Sequence, residues 1–224
     1  GGPSGPLFFI HMTTPSTTTL DTELSAVNSI LGSIGQAPIT SLTTTVGTDL
    51  EFVNPEIAFI YNLLTEVNMD VQNEGWEFNT ELHVKLSPDT NKHIVVPPNV
   101  LRYDIHDNQN DRRLNVVTRN GRLYNKVEHT DEFENDVELD VVTLYAFEDL
   151  PPVFRRYVIY RAAGRAATQL VANPQLVQLL GTQEAQARAA CLEYECEQGD
   201  HNFMGWPDGT TYRAYQPHHA LRRS

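Results

Sequence analysis

Apolar positions recur at steps of three and four near both ends of the chain and at steps of two in the middle, and these two periods predict where helices and strands lie. From Asn54 onward, Ile57, Ile60, Tyr61, Leu64, Val67 and Val71 draw one stripe down one side of a helix. Asn54 supplies a capping oxygen, Pro55 pre-sets φ, and Glu56 places a carboxylate near the positive end of the dipole. Gly75 marks its stop. This is the clearest helix in the chain, and it separates two differently patterned parts. Upstream, Leu24, Val27, Leu31 and Ile34 repeat in the same way from Asp21 until Gly35 and Pro38 halt the helix. The segment between the two helices, Thr40 to Asp49, reads as a loop rich in Thr.

From Glu81 the period changes to two, with Leu82, Val84 and Leu86 alternating against Glu81, His83 and Lys85. Val100 to Ile105 predicts a further strand after the Pro97–Pro98 interruption. Asn120 and Gly121 stand between two β-prone runs, and both residue types accept the positive φ of a two-residue hairpin turn. Past an acidic loop, His129 to Asp136, the positions Val137, Leu139 and Val141 alternate again. The middle third therefore predicts a small antiparallel sheet, or a meander, of about four to six strands.

Helical spacing returns after Pro151 and Pro152 and runs to about Ala172, with a centre of small residues, Ala162, Ala163, Gly164, Ala166 and Ala167. Such a surface lets another backbone approach closely, within the subunit or from a neighbour. Asn173 and Pro174 open a last helix with Leu176, Leu180, Ala187, Cys191 and Tyr194 along one side. Elements segregated in this order predict an α+β fold: a helical bundle built from both ends with an antiparallel β lobe inserted between. The expected divisions are a loosely held or appended N-terminus over 1–19, bundle helices over 20–80, the β lobe over 81–150, bundle helices over 151–198, and a flexible tail over 199–224 that a partner orders.

Charge sharpens this picture. The chain carries 29 acidic and 16 basic residues, a net of −13, and residues 51–150 alone hold 20 acidic and 8 basic side chains. Gripping nucleic acid requires cations that displace counterions, so this balance disfavours it. No apolar run approaches the ~20 residues of a spanning helix, so a soluble protein with no membrane partner is expected. Cys191 and Cys196 lie about 140° apart around a helix and are not expected to bridge, which fits a protein assembled in the cytosol.

Catalytic motifs are missing from the sequence: there is no nucleophile elbow, phosphate-binding loop or dinucleotide fingerprint, so no cofactor is expected. His201, His218 and His219 cluster in the tail without Cys or carboxylate at ligand spacing, so no metal is expected either. Carboxylate pairs such as Asp131 with Glu132 and Asp136 with Glu138 read as a solvated loop. More distinctive are Arg155, Arg156, Arg161 and Arg165 on one helix of an acidic chain. They suit carboxylates across a subunit boundary, or intramolecular pairing with Glu184, Glu193, Glu195 and Glu197 of the last helix. With Arg222 and Arg223 at the end of the chain, these arginines are the candidate interface to another subunit or to a partner protein.

Four blocks, ELSAVNSILGSIGQAPITSL, NEGWEFNTE, LPPVFRRYVIYRAAGRAA and EAQARAACLEYE, resemble the tail tubular protein A family, the head-to-tail adaptors of short-tailed bacteriophages. The resemblance runs from about Thr22 to Gln198 and is loose through the β region. It implies a structural virion protein, assembled in the host cytoplasm, with no catalytic turnover. Its expected partners are copies of itself in a ring, commonly of twelve, the portal, the tail nozzle and tail fibres, with DNA passing through the ring unbound. By the same resemblance, Trp76 and Phe78 lock the bundle to the β lobe, Arg155 and Arg165 match basic positions of the third helix, and Glu193, Tyr194 and Glu195 match the end of the fourth. The alternative from another class is a tail-associated polysaccharide hydrolase, which needs convergent carboxylates in a cleft.

Overall fold

The computed structural model describes residues 21–46, 49–105 and 114–198. Its elements in chain order are α1 (Glu23–Ser33), β1 (Thr43–Val46), β2 (Asp49–Phe52), α2 (Pro55–Gln72), β3 (Thr80–Leu86), β4 (Val100–Ile105), β5 (Val116–Arg119), β6 (Arg122–Asn125), β7 (Val137–Thr143), α3 (Pro152–Ala166) and α4 (Pro174–Gln198). The fold is α+β, and its sheets are antiparallel.

The helix boundaries follow from local chemistry. The Thr22 side chain accepts from Ser25 N–H at the start of α1, and the Asn54 side chain accepts from Glu56 N–H at the start of α2. Gly35, at φ +82°, turns the chain out of α1 while Gln36 N–H returns to the Leu31 carbonyl. Ile57, Ile60, Leu64, Val67 and Val71 are buried as their spacing predicts, and Leu63 joins them.

The apolar side chains sort into two clusters. One joins all four helices; the other, built on Ile94, Leu123, Phe133, Val137, Leu139 and Val141, lies among the strands. The centre of the helical cluster is not α2, the helix most clearly patterned in sequence, but α3, which packs against α1, α2 and α4. Ala162, Ala163, Ala166 and Ala167 are fully buried, so the small-residue surface is used for close helix packing inside the subunit. At the other end of α3, Phe154 meets the rings of Phe78, Trp76 and Tyr194 at 4.6, 4.9 and 5.8 Å between centroids. Each such aromatic pair adds about 0.5–1.5 kcal/mol beyond its buried area.

Three strand predictions are corrected. Thr40 to Asp49 is not all loop: Thr43–Val46 and Asp49–Phe52 pair as a hairpin in which Thr43 faces Phe52. The middle third is not a meander, because β7 lies between β3 and β4 in a three-stranded sheet while β5 and β6 form a separate pair. Leu82 does not face inward with Val84 and Leu86 but is 58% exposed. A register shift between Glu81 and Val84, with His83 at φ +59°, breaks the alternation there. The Asn120–Gly121 turn is present, with both residues at positive φ, +53° and +74°, between β5 and β6.

A buried polar node, not the aromatic pair Trp76 and Phe78, ties α2 to the end of β7. Trp76 and Phe78 stack on α3 instead. The Gln72 amide donates to the Tyr145 carbonyl at 2.9 Å and accepts from Tyr145 N–H at 2.8 Å. The Asn79 amide donates to the Gln72 and Thr143 carbonyls at 2.9 and 3.1 Å. Between these anchors Gly75, at φ +81°, brings the chain close to Val142 and Arg102, where a Cβ would lie 2.6 Å from the Arg102 guanidinium.

Candidate interaction surface

The arginines of α3 occupy three different settings. Arg155, 3% exposed, donates to the Asp21 carbonyl at 3.2 Å, and its buried Nε has no hydrogen-bond partner among the described residues. Arg156 is exposed. Arg161 reaches Glu74 at 3.0 Å and the Tyr157 hydroxyl at 3.1 Å, with Glu184 at 3.9 Å. Arg165 meets Asp70 at 2.6 Å.

The intramolecular alternative thus describes Arg161 and Arg165, with a change of partner. Their short contacts are to Asp70 in the last turn of α2 and Glu74 just beyond it, and of the four carboxylates expected on α4 only Glu184 lies within ion-pair reach of these two arginines. The reason is geometric: α2 and α3 run antiparallel here, so the step from Arg161 to Arg165 matches the step from Glu74 back to Asp70. Arg188 of α4 completes the group, 3.1 Å from Glu74 and 3.0 Å from the Tyr157 hydroxyl. Glu195 has another task, accepting from Glu77 N–H at 2.8 Å and so holding the segment after α2 against the end of α4. Arg222 and Arg223, like His201, His218 and His219, lie outside the described residues.

Beyond Ala166 the helix widens. Ala172 N–H bonds to the Ala167 carbonyl at 2.9 Å, one residue further back than an α-helix allows, making a π-helical turn over Ala167–Val171. Ala172 then takes a left-handed φ of +52°, and Asn173 caps α4 through its side-chain oxygen. The turn leaves Leu170, Val171 and Leu179 exposed at the end of the α3–α4 hairpin. Between α3 and α4 is a cleft of about 300 Å³ lined by Arg161, Gly164, Arg165, Val177, Gly181 and Glu184 among others. A second cleft, of about 250 Å³, lies where α1 and α2 meet the chain after β7, and Glu23, Tyr61, Asn68 and Tyr145 help line it. Burial and the Glu23 carboxylate, 3.0 Å away, push the Tyr61 hydroxyl pKa up. Each cleft presents one carboxylate, Glu184 or Glu23.

Among the described residues no three His, Cys, Asp or Glu side chains gather as a metal site, and no helix is long and apolar enough to cross a membrane. Sequence reasoning missed Glu74, the acid shared by Arg161 and Arg188, and the Gln72 node. Asn68 and Gln72 were legible as two amides four apart on a helix face otherwise apolar, a pattern that requires buried hydrogen-bond partners.

Residues 24–201 match the family model described as tail tubular protein. The molecule is a structural component of a phage tail. It belongs to the tail tubular protein family. It is similar to the tail tubular protein A of Klebsiella phage KP34, with 28% identity over 129 residues, which cover 58% of this chain and 62% of that protein. The aligned part of the chain therefore spans less than two thirds of that relative's length.

Proposed function

We propose that this tail protein is a head-to-tail adaptor: copies of the chain form a ring, commonly of twelve in the family it resembles, that joins the portal to the tail nozzle, surrounds the path of ejected DNA and helps anchor tail fibres. The observation that carries this reading is the family match over residues 24–201. Charge supports it. A middle section with 20 acidic and 8 basic residues repels DNA within a screening length of ~8 Å, so DNA can pass without adhering. Two free cysteines, one buried and one exposed, suit assembly in the host cytoplasm. The hydrolase alternative gains no support from the two clefts, since a glycosidase needs two carboxylates and each cleft presents one.

Native mass spectrometry of the chain alone and mixed with the portal ring of its phage tests the proposal. A ring in either condition supports the adaptor. A monomer that ignores the portal overturns it.

A further inference from the structure

The cleft where α1 and α2 meet the chain after β7 holds polar groups that the described residues leave unmatched. Asn68 lines it and is 9% exposed. Its Oδ1 accepts from Gln72 at 3.0 Å, and its side-chain N–H groups have no hydrogen-bond partner among the described residues. A buried donor of this kind calls for an acceptor brought into the cleft. Glu23 adds a charge. Its half-buried carboxylate accepts from the Tyr61 hydroxyl through Oε2 and, unlike Asp70 and Glu74, meets no cation among the described residues. Leu64, Leu144 and Phe147 supply apolar wall. An acid, an apolar wall and one amide donor together suit an arginine of a peptide. Its aliphatic stem lies on the wall, its guanidinium meets the carboxylate, and a main-chain carbonyl beside it accepts from the amide. At about 250 Å³ the cleft is smaller than the roughly 300–1,000 Å³ of small-molecule sites and takes one long side chain.

Position and charge name the peptide. Phe154 of α3 touches Tyr194 near the end of α4, and the next residue, Arg155, holds the carbonyl of Asp21, two residues ahead of Glu23. The chain beyond Gln198 therefore starts at the same end of the bundle as the cleft. Residues 209–224 carry Arg213, Arg222 and Arg223 and no acidic residue, in a chain of net charge −13. Arg213 stands 15 residues past Gln198, a reach of up to ~50 Å, which exceeds the ~37 Å length of α4. We propose that the cleft seats residues 209–224 of the same molecule, with one of these arginines paired to Glu23 and a neighbouring main-chain carbonyl bonded to Asn68. The attachment is internal to one subunit and holds whether or not subunits form a ring.

The test uses the full chain without portal, as an equal mixture of isotopically light and heavy copies, with a photo-cross-linker at Thr65 on the exposed rim of the cleft. Cross-links to residues 209–224 are expected, both peptides carrying the same isotope. Glu23→Gln keeps an oxygen for the Tyr61 hydroxyl and should lower the yield of that cross-link about threefold or more. Replacing all three arginines by Gln should do the same, with no further loss when the two changes are combined. Far-UV circular dichroism should be alike for all these chains, showing that the bundle stays folded. A cleft that holds only water gives no cross-link to residues 209–224, and that result overturns the proposal. So do cross-links that join differently labelled copies, or a yield indifferent to Glu23→Gln. Each of these outcomes leaves the adaptor reading standing, since that is decided by mixing with the portal ring.

Discussion

Gln72 and Tyr145, 73 residues apart, pair as two strand residues would, with one side-chain amide exchanging two hydrogen bonds with one backbone unit. Gln72 is fully buried and also donates to Asn68 at 3.0 Å. Gln72→Met keeps the volume and strands the Tyr145 amide and carbonyl, each costing about 1–3 kcal/mol when left unmade. The expected loss is about 2–4 kcal/mol in urea unfolding, with little change in m-value.

The ion pairs of α3 should differ in worth. Glu74 serves Arg161 and Arg188 around the Tyr157 hydroxyl, whereas Arg165 and Asp70 form an isolated, more exposed pair. Arg165→Ala should cost less than about 1 kcal/mol and lose even that in 1 M salt. Glu74→Ala should cost more, about 1–2 kcal/mol, and be less sensitive to salt, because two cations lose their shared partner. Denaturation of both variants at low and high salt checks the contrast.

Ala172 closes the π-helical turn at φ +52°, a conformation that opposes any Cβ. Ala172→Gly should therefore stabilise by up to about 1 kcal/mol despite the greater freedom of glycine in the unfolded chain. Thermal unfolding gives the sign directly.

The two thiols should be distinguishable by rate. Burial pushes the Cys191 pKa up to about 12, and its Sγ lies 3.5 Å from the Val153 carbonyl. Cys196 is exposed. A disulfide reagent at pH 8 should modify one thiol promptly and the second only on the timescale of unfolding.

Asp89 sets an acid limit on the loop before β4. The amide of His93, foremost, and that of Asn91 donate to its carboxylate at 2.8 Å each and hold its pKa below the ordinary 3.8. A carboxylate depressed on folding contributes stability above its unfolded pKa and loses it as pH falls through the folded value. Carboxyl NMR titration should place Asp89 below 3.8, and the amides of Asn91 and His93 should lose exchange protection over the same interval.

Much of this was readable from local chemistry. The cap at Asn54, the stripe from Ile57 to Val71, the Asn120–Gly121 turn and the stops at Gly35 and Gly75 each depend on neighbours in sequence, and the structure has all of them. What escaped depends on distant residues. The outward turn of Leu82 follows from a bulge at His83, for which an alternating sequence carries no mark. The place of β7 between β3 and β4 follows from burial on both faces: Val137, Leu139 and Val141 point into the strand cluster, while Val142 packs beside Gly75. Arg161 and Arg165 were among the arginines singled out on one helix, but their acids are Asp70 of α2 and Glu74 just past its end, because the approach of α2 to α3 is set by packing that no local pattern encodes.

The position of β7 also dictates the timetable of synthesis. Its partners β3 and β4 leave the ribosome first, yet neither pairs with the other, so both wait unbonded until residues 137–143 emerge. Helices α1 and α2 wait longer, since their core is completed by Phe154 and the alanines of α3. A nascent chain halted before residue 137 thus exposes the apolar faces that β7 and α3 later cover, and it is at that stage of translation that chaperones have most to hold.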